Sequence, residues 1–142
     1  MKKLMKDKRG GIPIFVIGWI LLLLLITFLV MEMGGAFENY DYAVDVLQRA
    51  CNSAVERNII DRYRADRVLV MDADGAKADF TAYVSNDLPR RYSVIVSSIS
   101  CTEKPPSMTV TGKVTFQTMF SQYGFDDLSF GFKVRSTNYD LD

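Results

Sequence analysis

The residues best equipped for chemistry in this 142-residue chain are scattered carboxylates and two cysteines. Asp72-Ala-Asp74-Gly75, with Asp79 nearby, superficially looks like a calcium-binding loop. An EF-hand needs acids at positions 1, 3 and 5, glycine at 6 and glutamate at 12. Counted from Asp72, glycine instead follows directly after the second aspartate, and Tyr83 stands at position 12. The tract therefore reads as a turn, with Asp74 expected to cap a helix from Gly75 to about Leu88 that ends before Pro89. Ala78, Ala82 and Leu88 are among its expected apolar positions. Asp126-Asp127, in a loop that also holds Gly124, reads as solvated surface rather than a metal site.

Catalysis is disfavoured by what the chain lacks. There is no histidine, which removes the commonest general base, the Ser-His and Cys-His nucleophile pairs and the commonest zinc ligand. The sequence contains no glycine-rich phosphate loop, nucleophile elbow or paired catalytic acids. The expectation is a non-enzyme with no cofactor and no metal.

Cys51 and Cys101 leave two readings. A disulfide would close a loop of about 50 residues and stabilise by roughly 4 kcal/mol in the chain-entropy model. The alternative is a pair of small buried thiols that never meet. The bridge is the expectation, because it would tie a helix to a strand in a segment whose expected place is outside the cytoplasm, where disulfides can persist.

The elements that must position these groups begin with Ile12 to Met31, a stretch without a charge in which 15 of 20 residues are Leu, Ile, Val or Phe. Twenty helical residues reach about 30 Å, the thickness of a hydrocarbon core. The apolar side chains together favour insertion by on the order of 5 to 9 kcal/mol. Lys2, Lys3, Lys6, Lys8 and Arg9 oppose only Asp7 on the preceding flank, which predicts a cytoplasmic N-terminus and a single-pass protein of the cell membrane. A cleaved secretory signal would have a shorter apolar core ending at small residues; Gly34-Gly35-Ala36 fits that only loosely, so an anchor is expected. Three parts follow: a basic cytoplasmic leader (1–11), a transmembrane helix (12–33) and an extracytoplasmic α+β domain (34–142).

Past the membrane exit, Phe37, Tyr40, Val44, Leu47, Cys51 and Ala54 recur in steps of three and four, an apolar stripe on a helix extending to about Tyr63. Gly34-Gly35 is expected to act as a bend. Arg67 to Met71 reads as a small strand or the approach to a turn. After Pro89 the period becomes two. Strands are expected over Tyr92–Cys101, Met108–Phe116 and Leu128–Ser136, with Leu128, Phe130, Phe132 and Val134 facing one way. Three half-buried antiparallel strands need an apolar cover. The fold class is therefore α+β, a long N-terminal transmembrane and amphipathic helix packed on a small three-stranded antiparallel sheet.

Beyond residue 11 the chain carries 12 basic and 16 acidic groups, which argues against nucleic acid as a partner. Glu32, at the outer edge of the apolar run, can be hydrated near the headgroups, and its position also suits a lateral salt bridge. With Phe37, Tyr40, Val44 and Leu47 it forms the set of candidate assembly contacts.

Three tracts carry a resemblance: Lys8-Arg9-Gly10-Gly11 before the apolar run, Glu32-Met-Gly-Gly-Ala36 after it, and Leu47-Gln-Arg-Ala-Cys-Asn-Ser-Ala-Val-Glu56. Over residues 8–60 the chain resembles the TadE/TadG-like pseudopilins of tight-adherence (Flp-type) pilus systems. In that family a basic-Gly leader precedes the hydrophobic helix and an alanine-rich amphipathic stretch follows. The resemblance implies a pilin-like fold, candidate leader processing at Gly10 or Gly11, and partners among other pilin-like or envelope subunits, self-association and the lipid bilayer. One departure matters. Filament-forming relatives usually carry glutamate at the fifth position after the processing site, whereas cleavage after Gly10 or Gly11 would put Phe15 or Val16 there. The implied role is an accessory, minor pseudopilin. The alternative is a membrane-tethered extracytoplasmic binding domain unrelated to pili.

Overall fold

The computed structural model describes residues 11–60 and 69–138. The chain divides into two units, Met1–Gly35 and Ala36–Asp142. Helix α1 (Gly11–Arg57) supplies the described part of the first and opens the second.

Within the first unit, every side chain from Pro13 to Met31 is exposed. Ile14 and Leu24 are 73% and 60% accessible. This uncovered apolar surface is far larger than soluble monomers leave in water. The helix is long and apolar enough to cross a membrane. The Thr27 hydroxyl donates to the Leu23 carbonyl at 2.9 Å, a bond that would satisfy this donor in hydrocarbon. Trp19 meets Phe15 edge to face at 6.1 Å. The helix continues through Gly34 and Gly35, where the sequence suggested an interruption.

The second unit is α+β, as the pattern of periods implied. It contains α1 from Ala36 onward, α2 (Ala73–Asp87), β1 (Tyr92–Thr102), β2 (Ser107–Phe116), a short 3₁₀ turn (Phe120–Tyr123) and β3 (Leu128–Thr137). The sheet is antiparallel with order β1-β2-β3. Alternation along β2 buries Met108, Val110, Val114 and Phe116 and leaves the other face to Ser107, three threonines and Lys113. β1 carries a bulge at Ser97, where the register shifts between Val96 and Ser98. Gly112 pairs with Phe132 on β3. A Cβ at Gly112 would meet the Ile95 carbonyl and come within about 3 Å of the Phe132 ring, so an aromatic ring fills the space that glycine leaves.

α1 buries Ala43, Val46, Leu47, Ala50, Cys51, Ala54 and Val55, a wider stripe than the expected one. Its alanines let neighbouring elements approach closely, and two elements cover it. The sheet contributes Met108, Val110, Val114 and Val134, and α2 contributes Ala76 and Phe80, to one contiguous core. Gln48 extends the α1–sheet contact. Its side-chain amide donates to the Arg135 carbonyl at 2.8 Å and accepts from the Arg135 N–H at 3.4 Å, satisfying the outer edge of β3 where an unpaired ladder would otherwise stand.

Two sequence expectations for α2 are corrected. Its N-cap is Asp72, not Asp74: the Asp72 carboxylate accepts from the Asp74 and Gly75 N–H groups at 3.1 and 3.2 Å, and the helix starts at Ala73. Its buried face is Ala76 and Phe80, while Ala78 and Ala82 are exposed. The C-terminal stop before Pro89 holds, with Leu88 in an extended conformation. α1 ends at Arg57 rather than Tyr63, and Ile59 then forms an isolated bridge with Met71. Tyr63, Arg67 and Val68 lie outside the described residues.

Candidate functional site

The carboxylates that looked like a metal loop are occupied structurally. Asp72 caps α2, and Asp74 pairs with Lys77 at 3.0 Å. Asp79 accepts from the Asn58 amide at 2.9 Å and lies 3.7 Å from the Arg57 guanidinium. Asn58 also donates to the Ala54 carbonyl at 2.8 Å, and Arg57 donates to the Tyr83 hydroxyl at 3.0 Å. These contacts clip the end of α1 onto α2. Gly75 is needed at the clip because a side chain there would strike the Asn58 amide. Asp126 and Asp127 are exposed in the loop before β3. Among the described residues no group of three or more Cys, Asp or Glu is arranged to hold a metal ion.

The expected disulfide is corrected: Cys51 and Cys101 are separate thiols. Cys51 points at the central strand, where its Sγ lies 3.7 Å from the Met108 carbonyl. Cys101 sits on edge strand β1, opposite Met108. Burial pushes the Cys51 thiol up to about 11, with the neighbouring Cys101 adding to the rise and a backbone hydrogen bond at Ser136 opposing it. Burial also raises the Cys101 thiol. Thiolate is the nucleophile and metal-binding form, and burial disfavours it at both positions.

A groove of about 350 Å³ lies between α2 and β1, lined by Phe80, Val84, Leu88, Tyr92, Val94 and Val96 among others. Its lining holds no carboxylate and no thiol; its polar groups come from Thr81, Ser85, Arg90 and Tyr92.

The candidate assembly contacts separate into two classes. Leu47 is fully buried in the domain's own core, and Tyr40 and Val44 pack against that core. Tyr40 donates to the Gly131 carbonyl at 3.1 Å and its ring meets Phe130 at 5.5 Å. Leu47 therefore serves the fold, and Tyr40 and Val44 lie half-buried against the same core. Phe37 is 62% accessible and stays available. In the first unit Glu32 is half-buried. Gly11 opens α1, and Gly10 lies outside the described residues.

Sequence reasoning missed an aromatic end to the domain. Tyr92 donates to Asn39 at 2.7 Å, and its ring lies 5.7 Å from Tyr42 and 5.9 Å from Phe116. Phe116 in turn stacks on Phe130 at 5.8 Å. The loop that follows Phe116 exposes Met119, Tyr123 and Phe125. Loops carry no periodicity, and the signal that was available was the density of aromatics between Phe116 and Phe132. No protein-family model matches this chain, and no curated protein or solved structure is detectably similar to it.

Proposed function

We propose that the chain is a single-pass membrane protein of pilin-like design, an accessory pseudopilin of a Tad-type pilus or a related envelope assembly. One observation carries the reading. A single helix, Gly11–Arg57, is uncovered and apolar over its early part and is the buried element of an antiparallel three-stranded sheet over its late part. Such a helix commits its first segment to lipid or to neighbouring apolar helices and its last segment to a folded head. The basic stub ahead of it supports an orientation with the N-terminus in the cytoplasm and the head outside. The absence of an acid at Phe15 and Val16 favours an accessory role over a major filament subunit, because an unpaired terminal ammonium buried among apolar helices is costly.

The mature N-terminus, sequenced from isolated membranes, tests this reading. A start at Gly11 or Ile12 is expected. A start near Phe37, in protein recovered without the apolar segment, would overturn it.

A further inference from the structure

The end of the head domain that joins the apolar segment carries an exposed apolar loop. The loop lies between Phe116, the last residue of β2, and Leu128, the first of β3, which pair with each other, and Phe116 also pairs with Tyr92. Tyr92 is bonded to Asn39, and Gly131, close to Leu128 along β3, is bonded to Tyr40. Asn39 and Tyr40 are the fourth and fifth residues of this unit. The loop thus sits at the end where the chain enters from the apolar segment, and the turn between Thr102 and Ser107 lies at the other.

The loop is built to show its apolar side chains. A 3₁₀ turn over Phe120–Tyr123 is closed by Gly124 at φ 91°, whose N–H bonds back to the turn. Phe120 packs edge to face on Phe125 at 5.5 Å. Met119, Tyr123 and Phe125 are left 59%, 77% and 65% accessible, and Phe37, on α1 at the same end, is 62% accessible. Tyrosine and phenylalanine side chains exposed at the end where the chain enters this unit have the character of an interfacial belt, where ring bodies enter the acyl boundary and the hydroxyl stays wet.

We propose that this loop docks on the lipid surface, with Tyr123 and Phe125 seated at the headgroup–acyl boundary as a second contact of the head with the membrane. The inference rests on α1's apolar part lying in lipid. Arg90 and Arg91 flank the same end and are offset by Asp126 and Asp127, so docking is apolar in origin and needs no anionic lipid.

The full chain in phosphatidylcholine vesicles provides the test. In a Trp19→Phe background, single tryptophans are placed by Tyr123→Trp, by Phe125→Trp, or by Thr102→Trp at the far end of the sheet. All three positions are exposed and outside the core, and an unchanged far-ultraviolet circular dichroism spectrum verifies the fold of each variant. Lipid brominated near the headgroup is expected to quench the two loop tryptophans roughly twofold or more beyond Thr102→Trp, with or without anionic lipid. Quenching equal to that control overturns the proposal. So does a blue-shifted but unquenched loop, which would mean that protein covers it. Native Trp19 reports the span separately. If lipid brominated deep in the acyl chains quenches Trp19 while the loop stays unquenched, only the docking fails. An unquenched Trp19 overturns the membrane reading and the docking with it.

Discussion

The thiol of Cys51 points at the backbone carbonyl of Met108, 3.7 Å away, and Met108 is the cross-strand partner of Cys101. The two cysteines therefore bracket one residue of the central strand without being joined. Denatured under non-reducing conditions, the protein is expected to yield two alkylatable thiols per chain. In the native state Cys51 should react far more slowly than the half-buried Cys101. A chain that yields no thiol until reductant is added would contradict the arrangement.

Burial of Cys51 also sets a pH dependence. Its thiol is raised from an ordinary 9.0 to about 11 in the folded domain, so the folded state holds its proton more tightly than the unfolded state does. The contribution is fully present below pH 9 and is lost as pH rises from 9 towards 11. It amounts to on the order of 2 to 3 kcal/mol. Other groups titrate in this window, so the measurement is a comparison. Denaturant unfolding of wild type and Cys51→Ala should show a steeper loss of stability with pH in the wild type. Parallel curves would remove the effect.

Gly112 has no room for a side chain against Ile95 and Phe132. Gly112→Ala should destabilise the domain by about 1–3 kcal/mol through displaced backbone and ring. Gly131, the partner of Lys113, has no atom closer than 3.9 Å to an added Cβ. Gly131→Ala should be tolerated by comparison. Urea midpoints of the two variants check the contrast.

Leu47 and Phe37 were grouped by helical spacing and are separated by burial. Leu47→Ala should cost about 2–5 kcal/mol, whereas Phe37→Ala should leave the unfolding midpoint nearly unchanged. Equal losses would place Phe37 in the core.

Asp72 caps α2 instead of holding a cation. Asp72→Ala should lower stability by about 1 kcal/mol, and millimolar calcium should not shift the melting temperature of the wild type. A calcium-dependent rise abolished by Asp72→Ala would restore the metal reading.

The strands were legible because β-branched and aromatic residues alternate with Ser and Thr, and each observed strand exceeds its expected range by no more than a residue at either end. The apolar segment was legible from its length and lack of charge. α2 was legible as a helix but not as a face, since Ala76, Ala78 and Ala82 are equivalent by type, and the Asn58–Asp79 clip selects among them. β3 shows the limit of alternation. Phe132 and Val134 are buried, but Leu128 and Phe130 on the same side remain 37% accessible, because burial also depends on what covers that end of the strand. The cysteine pairing was illegible for a related reason, since sequence spacing does not say which strand a helix residue meets.

Piliation of a deletion strain of the native host tests the assembly role most directly, counted by electron microscopy and complemented with the wild-type chain. Loss or marked reduction of surface pili, restored by complementation, is the expected result. Unchanged piliation, with the protein present in wild-type membranes and purifying only as an isolated monomer, would contradict it.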